Sequence, residues 1–297
     1  MRQRGASHTT RRSTCRDTAL RAVPLRVVRG LAFHHGPVWD DGNPVKTTTR
    51  TIREAKGVKP VVCLTAYDAV TARIADAGGA DLILVGDSVG NVVLGFENTV
   101  SVTVPMMLHH IGAVARAKPK ALVVGDIPFG VAQDEWTKVL AVCVDYLRAG
   151  AEAVKIEGGA EIAPVIKKLV ETGIPVVGHI GLQPQQVLAL GGYRKFGKTA
   201  DEQEKIFVDA RAVSDAGAFC IVVEMVDSAF ATKLTAACPV PVIGIGAGTG
   251  CDGQILVIHD LLGLSGNYPS FAKPRVELEK LAVEAVTGWA AEVRKRP

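Results

Sequence analysis

Short unbroken apolar runs alternate along this chain with longer stretches in which apolar residues recur at three- and four-residue spacing. The runs read as strands buried on both faces, and the spaced stretches as helices that lay one face on a sheet. Eight strands are expected, at 61–66, 81–86, 121–125, 153–156, 175–178, 220–225, 241–245 and 254–258. Among the helices, Trp136, Val139, Leu140, Cys143 and Leu147 form a clear stripe. The punctuation repeats as well: Asp76-Ala77-Gly78, Arg148-Ala149-Gly150, Glu171-Thr172-Gly173 and Asp215-Ala216-Gly217 each close an amphipathic stretch just before an apolar run. Glycine suits the left-handed residue that stops a helix. Repeated helix-then-strand units imply parallel strands joined by right-handed crossovers, and eight of them favour an α/β fold closed as a (βα)8 TIM barrel over an open sheet.

Residues 45–297 have the usual length of one such barrel and contain no Pro/Gly/Ser-rich linker, so they read as a single catalytic domain. The first 44 residues differ in kind, with Arg2, Arg4, Arg11, Arg12, Arg16, Arg21, Arg26 and Arg29 against three acids and no sustained period. They are expected to stay outside the fold as a disordered N-terminal extension. A transit peptide, or a gene start set too early with the true one near Val45, would leave the same pattern.

Composition narrows the class. Hydrophobic residues make up 48%, charged residues 22%, and the net charge is +4, which allows a large core and leaves no nucleic-acid footprint. No stretch is both long and uncharged enough to span a bilayer. The six cysteines form no CxxC pair and several sit in apolar runs, so they read as small core residues in a reducing compartment. The cytoplasm is the expected location, with an organelle as the alternative if the Arg-rich leader is a transit peptide.

Five of the runs end on a residue that can do chemistry: Asp87 in DLILVGDS, Asp126 in ALVVGDIP, Glu157 in AVKIEGG, His179 in PVVGHIG and Glu224 in CIVVEMV. In a barrel the C-terminal strand ends gather at one mouth. Asp87, Asp126 and Glu157 would then face each other, and bare they would repel until one or more stayed protonated. A hard divalent cation removes that problem, and an oxygen-only donor set points to Mg²⁺ over zinc. The bland alternative is that each carboxylate caps the next helix.

Lys155 precedes Glu157 by two residues and shares its face of the strand. It suits the anionic end of a substrate, or an ion pair with Glu157, and both can hold. Ser88 could donate to the same substrate carboxylate or cap the following turn. His179 sits between glycines, where backbone approach is easy, although a lone interior histidine is commonly just hydrogen-bonded. Glu224, among Val222, Val223 and Met225, would have its pKa raised by desolvation into the range of a general base, unless it too caps a helix. The glycines of 244–250 occupy the place where many barrels bind phosphate, and also suit a tight turn.

At this point a family resemblance emerges. LTAYDAVTARIADAGGADLILVGDSVGNVVLGFENTVSVTV, VVGDIPFG, VKIEGG, GHIGLQPQ, GGYRKFGK, VVEMV, PVIGIGAG and CDGQILVIHDLLGL, in that order, resemble ketopantoate hydroxymethyltransferase over residues 46–274. The resemblance implies a Mg²⁺-dependent transfer of the one-carbon unit of 5,10-methylenetetrahydrofolate, the co-substrate, to C3 of 3-methyl-2-oxobutanoate. Ketopantoate forms, for pantothenate and coenzyme A biosynthesis. It also implies direct metal ligation by Asp87 and Asp126, with Glu157 a direct or water-mediated ligand. Asp87, Ser88, Asp126, Lys155 and His179 would contact the 2-oxo acid, and Glu224 would accept the proton. Family members form rings of dimers, so a homo-oligomer acting on small molecules is expected, with neither nucleic acid nor membrane as partner.

That chemistry suits the residues. The C3 proton of a 2-oxo acid is weakly acidic, and positive charge on the carboxylate and keto oxygens stabilises the enolate that its removal creates. Phe129 of GDIPFG is a candidate for the apolar wall around the isopropyl group. Two rivals share the scaffold. A Mg²⁺-dependent 2-oxo-acid lyase or mutase would need its own acid or cysteine on a lid, and a non-catalytic 2-oxo-acid or folate sensor would have lost a base or ligand.

Overall fold

The computed structural model describes residues 39–40 and 43–295. The expected N-terminal extension therefore lies outside the described residues, except that Trp39–Asp40 pairs antiparallel with Asn43–Pro44.

Eight parallel strands close into one barrel, each beside its neighbour in sequence. They are β1 (Val61–Thr65), β2 (Leu82–Val85), β3 (Leu122–Asp126), β4 (Ala153–Glu157), β5 (Val176–Gly181), β6 (Cys220–Glu224), β7 (Val242–Ile245) and β8 (Gly253–Leu256). Closure is made by β8 on β1, with Gly253 opposite Val61 and Leu256 opposite Leu64. All eight expected strands are present. The largest shift is in β5, which runs on through His179 and Ile180 to Gly181, because those residues keep pairing with β6.

Two apolar layers follow from the strand alternation. Inside the barrel lie Cys63, Leu82, Leu84, Leu122, Val124, Val177, Cys220, Val222, Ile243 and Ile255, and the opposite faces pack on the outer helices. The helix Thr49–Glu54 closes the N-terminal end by driving Ile52, 2% exposed, into the inner layer. The helix Trp136–Ala149 buries Val139 and Cys143 of its stripe, leaves Trp136, Leu140 and Leu147 half-buried, adds the buried Tyr146, and stops at Gly150 with φ 109°. A side chain there would be strained and would strike Ala115. At the first of the repeated stops, the left-handed residue is Gly79, one position later than expected. Cys63, Cys143, Cys220 and Cys238 are buried, as the sequence suggested, whereas Cys251 is partly exposed.

Past β8 the chain makes only the short helix Ile258–Leu262 before Leu278–Arg294, a long helix with no buried residue. Among the described residues, no helix is long and apolar enough to cross a membrane.

Candidate active site

The C-terminal strand ends surround a cavity of about 650 Å³ lined by Asp87, Ser88, Asp126, Lys155, Glu157, His179 and Glu224, so all seven candidate residues come together. Strand register does this. Asp126 on β3 stands opposite Lys155 on β4, and Glu157 on β4 opposite His179 on β5. None of the carboxylates caps the helix that follows it: those caps are Ser88, Glu135, Ile162 and Asp227.

Lys155, 4% exposed, is the ammonium at the centre. Its Nζ lies 2.7 Å from Asp126 Oδ1 and 3.5 Å from Glu157 Oε1, so the nearer partner is the neighbouring strand's aspartate and not the expected Glu157. Glu157 Oε1 also meets His179 Nδ1 at 3.2 Å, and its Oε2 accepts the Gln185 N–H at 3.1 Å. Asp126 Oδ2 accepts the Asp87 N–H at 3.1 Å. Gln185 Nε2 donates to Asp87 Oδ2 at 2.9 Å and to the Ile127 carbonyl at 2.9 Å. Gln185 thus ties Asp87 to Glu157, a role that periodicity and charge pattern did not reveal.

The carboxyls separate by environment. Burial would raise Glu157, but the charges of Lys155 and His179 outweigh it and hold its pKa at about 2. Asp87 is pushed well above the usual carboxylate range by burial, with Asp126 and Glu157 adding repulsion, and Asp126 is raised by burial against the pull of Lys155. The upward push at Asp87 is in the direction expected of a bare carboxylate cluster. Burial alone would lower His179, yet the Glu157 carboxylate holds it up at about 9, an imidazolium at neutral pH.

His179 lines the cavity, but both nitrogens already face carboxylates: Nε2 lies 3.2 Å from Glu224 Oε2, off the line of a hydrogen bond. Glu224 is only partly enclosed, with 17% of its side chain exposed, and faces the His179 imidazole. The next residue, Met225, has φ 49°, a left-handed value uncommon for a side-chain-bearing residue. Met225 N–H donates to the Ile245 carbonyl at 2.8 Å and its own carbonyl accepts the Phe196 N–H at 2.8 Å, so this turn at the strand end is tied on both sides.

One expectation is corrected. Phe129 is 50% exposed and does not line the cavity, because β3 ends at Asp126 and the chain turns outward through Pro128. Leu84, Val222, Ile245 and Ile255 supply the apolar wall. The glycines after β7 also serve close packing: a side-chain carbon at Gly248 or Gly250 would collide with Ser228 or Thr232 of the preceding helix, Ser228–Ala237. Ser88 makes no capping bond, which removes its bland alternative, and its hydroxyl instead meets the Tyr67 hydroxyl at 2.8 Å.

The donor set suits a hard divalent cation: buried carboxylate oxygens carry more negative charge than Lys155 and His179 answer. Among the described residues, however, no group of three or more His, Cys, Asp or Glu is arranged to hold a metal ion. Glu157 is occupied by Lys155, His179 and Gln185, and Asp126 is paired with Lys155, so a cation on Asp87 and Asp126 would share Asp126 with the ammonium.

Comparison with known proteins is direct. A family profile for ketopantoate hydroxymethyltransferase matches residues 46–297. The 3-methyl-2-oxobutanoate hydroxymethyltransferase of Pyrobaculum calidifontis is 52% identical over 250 residues, covering 84% of this chain and 94% of that protein. The protein of the same name from Aeropyrum pernix is 48% identical over 249 residues, covering 84% and 91%. Among solved structures, phosphoenolpyruvate phosphomutase from Streptomyces platensis shares 16% identity at a TM-score of 0.57, over 83% of this chain and 87% of that one. Phosphonopyruvate hydrolase in complex with oxalate and Mg²⁺ shares 15% identity at a TM-score of 0.56, over 83% and 87%. At such identities these two speak for the barrel alone.

Proposed function

The chain belongs to the ketopantoate hydroxymethyltransferase family, and we propose that it forms ketopantoate from 3-methyl-2-oxobutanoate with 5,10-methylenetetrahydrofolate as the one-carbon donor. The observation that carries this reading is the juxtaposition at one barrel mouth of the buried Asp87, Asp126, Lys155 and Glu157 with a partly open Glu224. The residues argue against a non-catalytic sensor, since base and carboxylates are all present.

In this mechanism the 2-oxo acid lies between the aspartates and Glu224. Asp87 and Asp126, with Glu157 as a direct or water-mediated ligand, would hold Mg²⁺, which would supply positive charge for the substrate's carboxylate and keto oxygens. Lys155 adds a fixed charge on the same side, and Ser88 donates to the substrate carboxylate. Glu224 takes the C3 proton from the opposite face. His179 stands between Glu157 and Glu224 and presents Nε2 to the base at 3.2 Å. The resulting carbanion attacks the folate-derived methylene carbon, and one water completes the hydroxymethyl group as tetrahydrofolate leaves. Leu84, Val222 and Ile245 enclose the isopropyl group.

We also place the enzyme in the cytoplasm as a homo-oligomer, a ring of dimers. The assembly is supported by the helix Leu278–Arg294, where Leu281, Val286 and Trp289 are 52%, 63% and 65% exposed. The main reading is tested by incubating the protein with both substrates and Mg²⁺ and following ketopantoate by NMR. Product that requires all three supports it; no product, or product without the folate, contradicts it.

A further inference from the structure

Ser88 lines the cavity, and its hydroxyl is held at 2.8 Å by that of Tyr67, a residue outside every role assigned above. Tyr67 lies two positions beyond β1 and is 1% exposed. Three helices fix it. Its N–H donates to Thr71 Oγ1 at 3.2 Å in Ala69–Ala77, and its carbonyl meets His110 Nδ1 at 2.7 Å in Val104–Ala115. Its ring packs at 5.3 Å and 50° against His259 in Ile258–Leu262. The phenol therefore has one orientation.

That orientation decides which way the Ser88 hydrogen points. Burial pushes the Tyr67 pKa up, so the phenol keeps its proton. A phenol is more acidic than an aliphatic alcohol and is the stronger donor of the pair. When Tyr67 donates to Ser88 Oγ, the Ser88 hydrogen is left to donate into the cavity, and a chain of such bonds strengthens each member. Gly86 makes room for this arrangement: a side-chain carbon there would come within 2.9 Å of Ser88 Oγ.

We propose that Tyr67 is a positioning residue for the 2-oxo acid, fixing Ser88 so that its hydroxyl hydrogen is presented to the substrate carboxylate. This rests on the reading of Ser88 as a contact of that carboxylate. Tyr67→Phe keeps the ring and removes only the oxygen. It should raise KM for 3-methyl-2-oxobutanoate by roughly 5- to 10-fold, the worth of about one net hydrogen bond. The kcat and the KM for methylenetetrahydrofolate should stay within about twofold.

Ser88→Ala should do the same, and Tyr67→Phe/Ser88→Ala should be no worse than Ser88→Ala alone, because the two act as one unit. Gly86→Ala, which displaces Ser88 from the other side, should raise the same KM and serves if Tyr67→Phe does not fold. A Tyr67→Phe protein that melts lower but keeps the parent KM has a structural tyrosine only, and overturns the proposal. Effects that multiply in the double variant also overturn it. If Ser88→Ala keeps the parent KM, the Ser88 contact fails and the proposal with it, whereas ketopantoate formation by the parent protein still stands as the test of the overall reaction.

Discussion

Each end of the barrel holds a lysine–aspartate pair, and the two pairs are built differently. At the floor, Lys56 Nζ meets Asp252 Oδ2 at 2.8 Å, and the remaining valences go to backbone: Lys56 to the Thr235 carbonyl, Asp252 to the Val242 N–H. One cation answers one anion, and the pair joins the first helix to the β7–β8 connection. At the mouth, Lys155 and His179 share Asp87, Asp126, Glu157 and Glu224, and burial with the repulsion of Asp126 and Glu157 pushes the Asp87 pKa well up. A satisfied pair marks a structural joint; an overcharged one marks a place kept ready for a cation and a reaction.

The sharpest break in this symmetry is Glu224→Gln, which keeps size and polarity but cannot take a proton. Turnover should fall by roughly 10² to 10⁴, the usual span for a general base, while KM for the 2-oxo acid changes little. Exchange of the C3 hydrogen into deuterated water without folate, read by NMR, should slow in parallel; exchange at the parent rate would assign the base elsewhere, with His179 next.

Lys56→Met at the floor should act on stability alone. Removing one partner of a largely buried pair costs on the order of 2 kcal/mol after allowance for its partial exposure, so the melting temperature should drop by several degrees with KM unchanged. A change in substrate KM would show that the two ends are coupled.

Smaller is the pH dependence contributed by His179, whose pKa is held near 9 in the fold against an ordinary 6.5. Folding tightens this proton, so the contribution is complete below about pH 6.5 and is lost as pH rises through 9. Melting of the EDTA-treated parent should therefore decline across that window more steeply than that of His179→Gln. Parallel curves would remove the imidazolium from the account.

Smallest of all is deletion of residues 1–44, expected to leave melting temperature and turnover near those of the full chain. Lys46 already anchors the start of the barrel to Glu152 at 2.5 Å and to the Ala121 carbonyl at 2.7 Å. A truncated protein that melts far lower would show that this segment packs on the barrel.

What could be read from the residues, and what could not, divides along the same line. Asp126, Lys155, Glu157, His179 and Glu224 sit on or at the ends of strands, where a period of two and the order of βα units dictate both face and end, and Asp87 follows β2 directly. Gln185, Tyr67 and Met225 escaped because their roles arise from contacts between segments distant in the chain. Gln185 reaches Asp87 across 98 positions from a 3-10 turn opened by Pro184, and Tyr67 reaches Ser88 across 21. Met225 matters through a backbone angle. Phe129 was misplaced for a related reason: a motif shows which residues are adjacent, but the turn after a strand decides which way they face.

The central claim, that the surplus charge at the mouth is a seat for a divalent cation on Asp87 and Asp126, is tested most directly by titrating Mg²⁺ calorimetrically into EDTA-stripped protein. The parent and Asp252→Asn should bind one ion with similar affinity, and Asp87→Asn and Asp126→Asn should lose at least about tenfold. Equal Mg²⁺ affinity in all four proteins would contradict the claim.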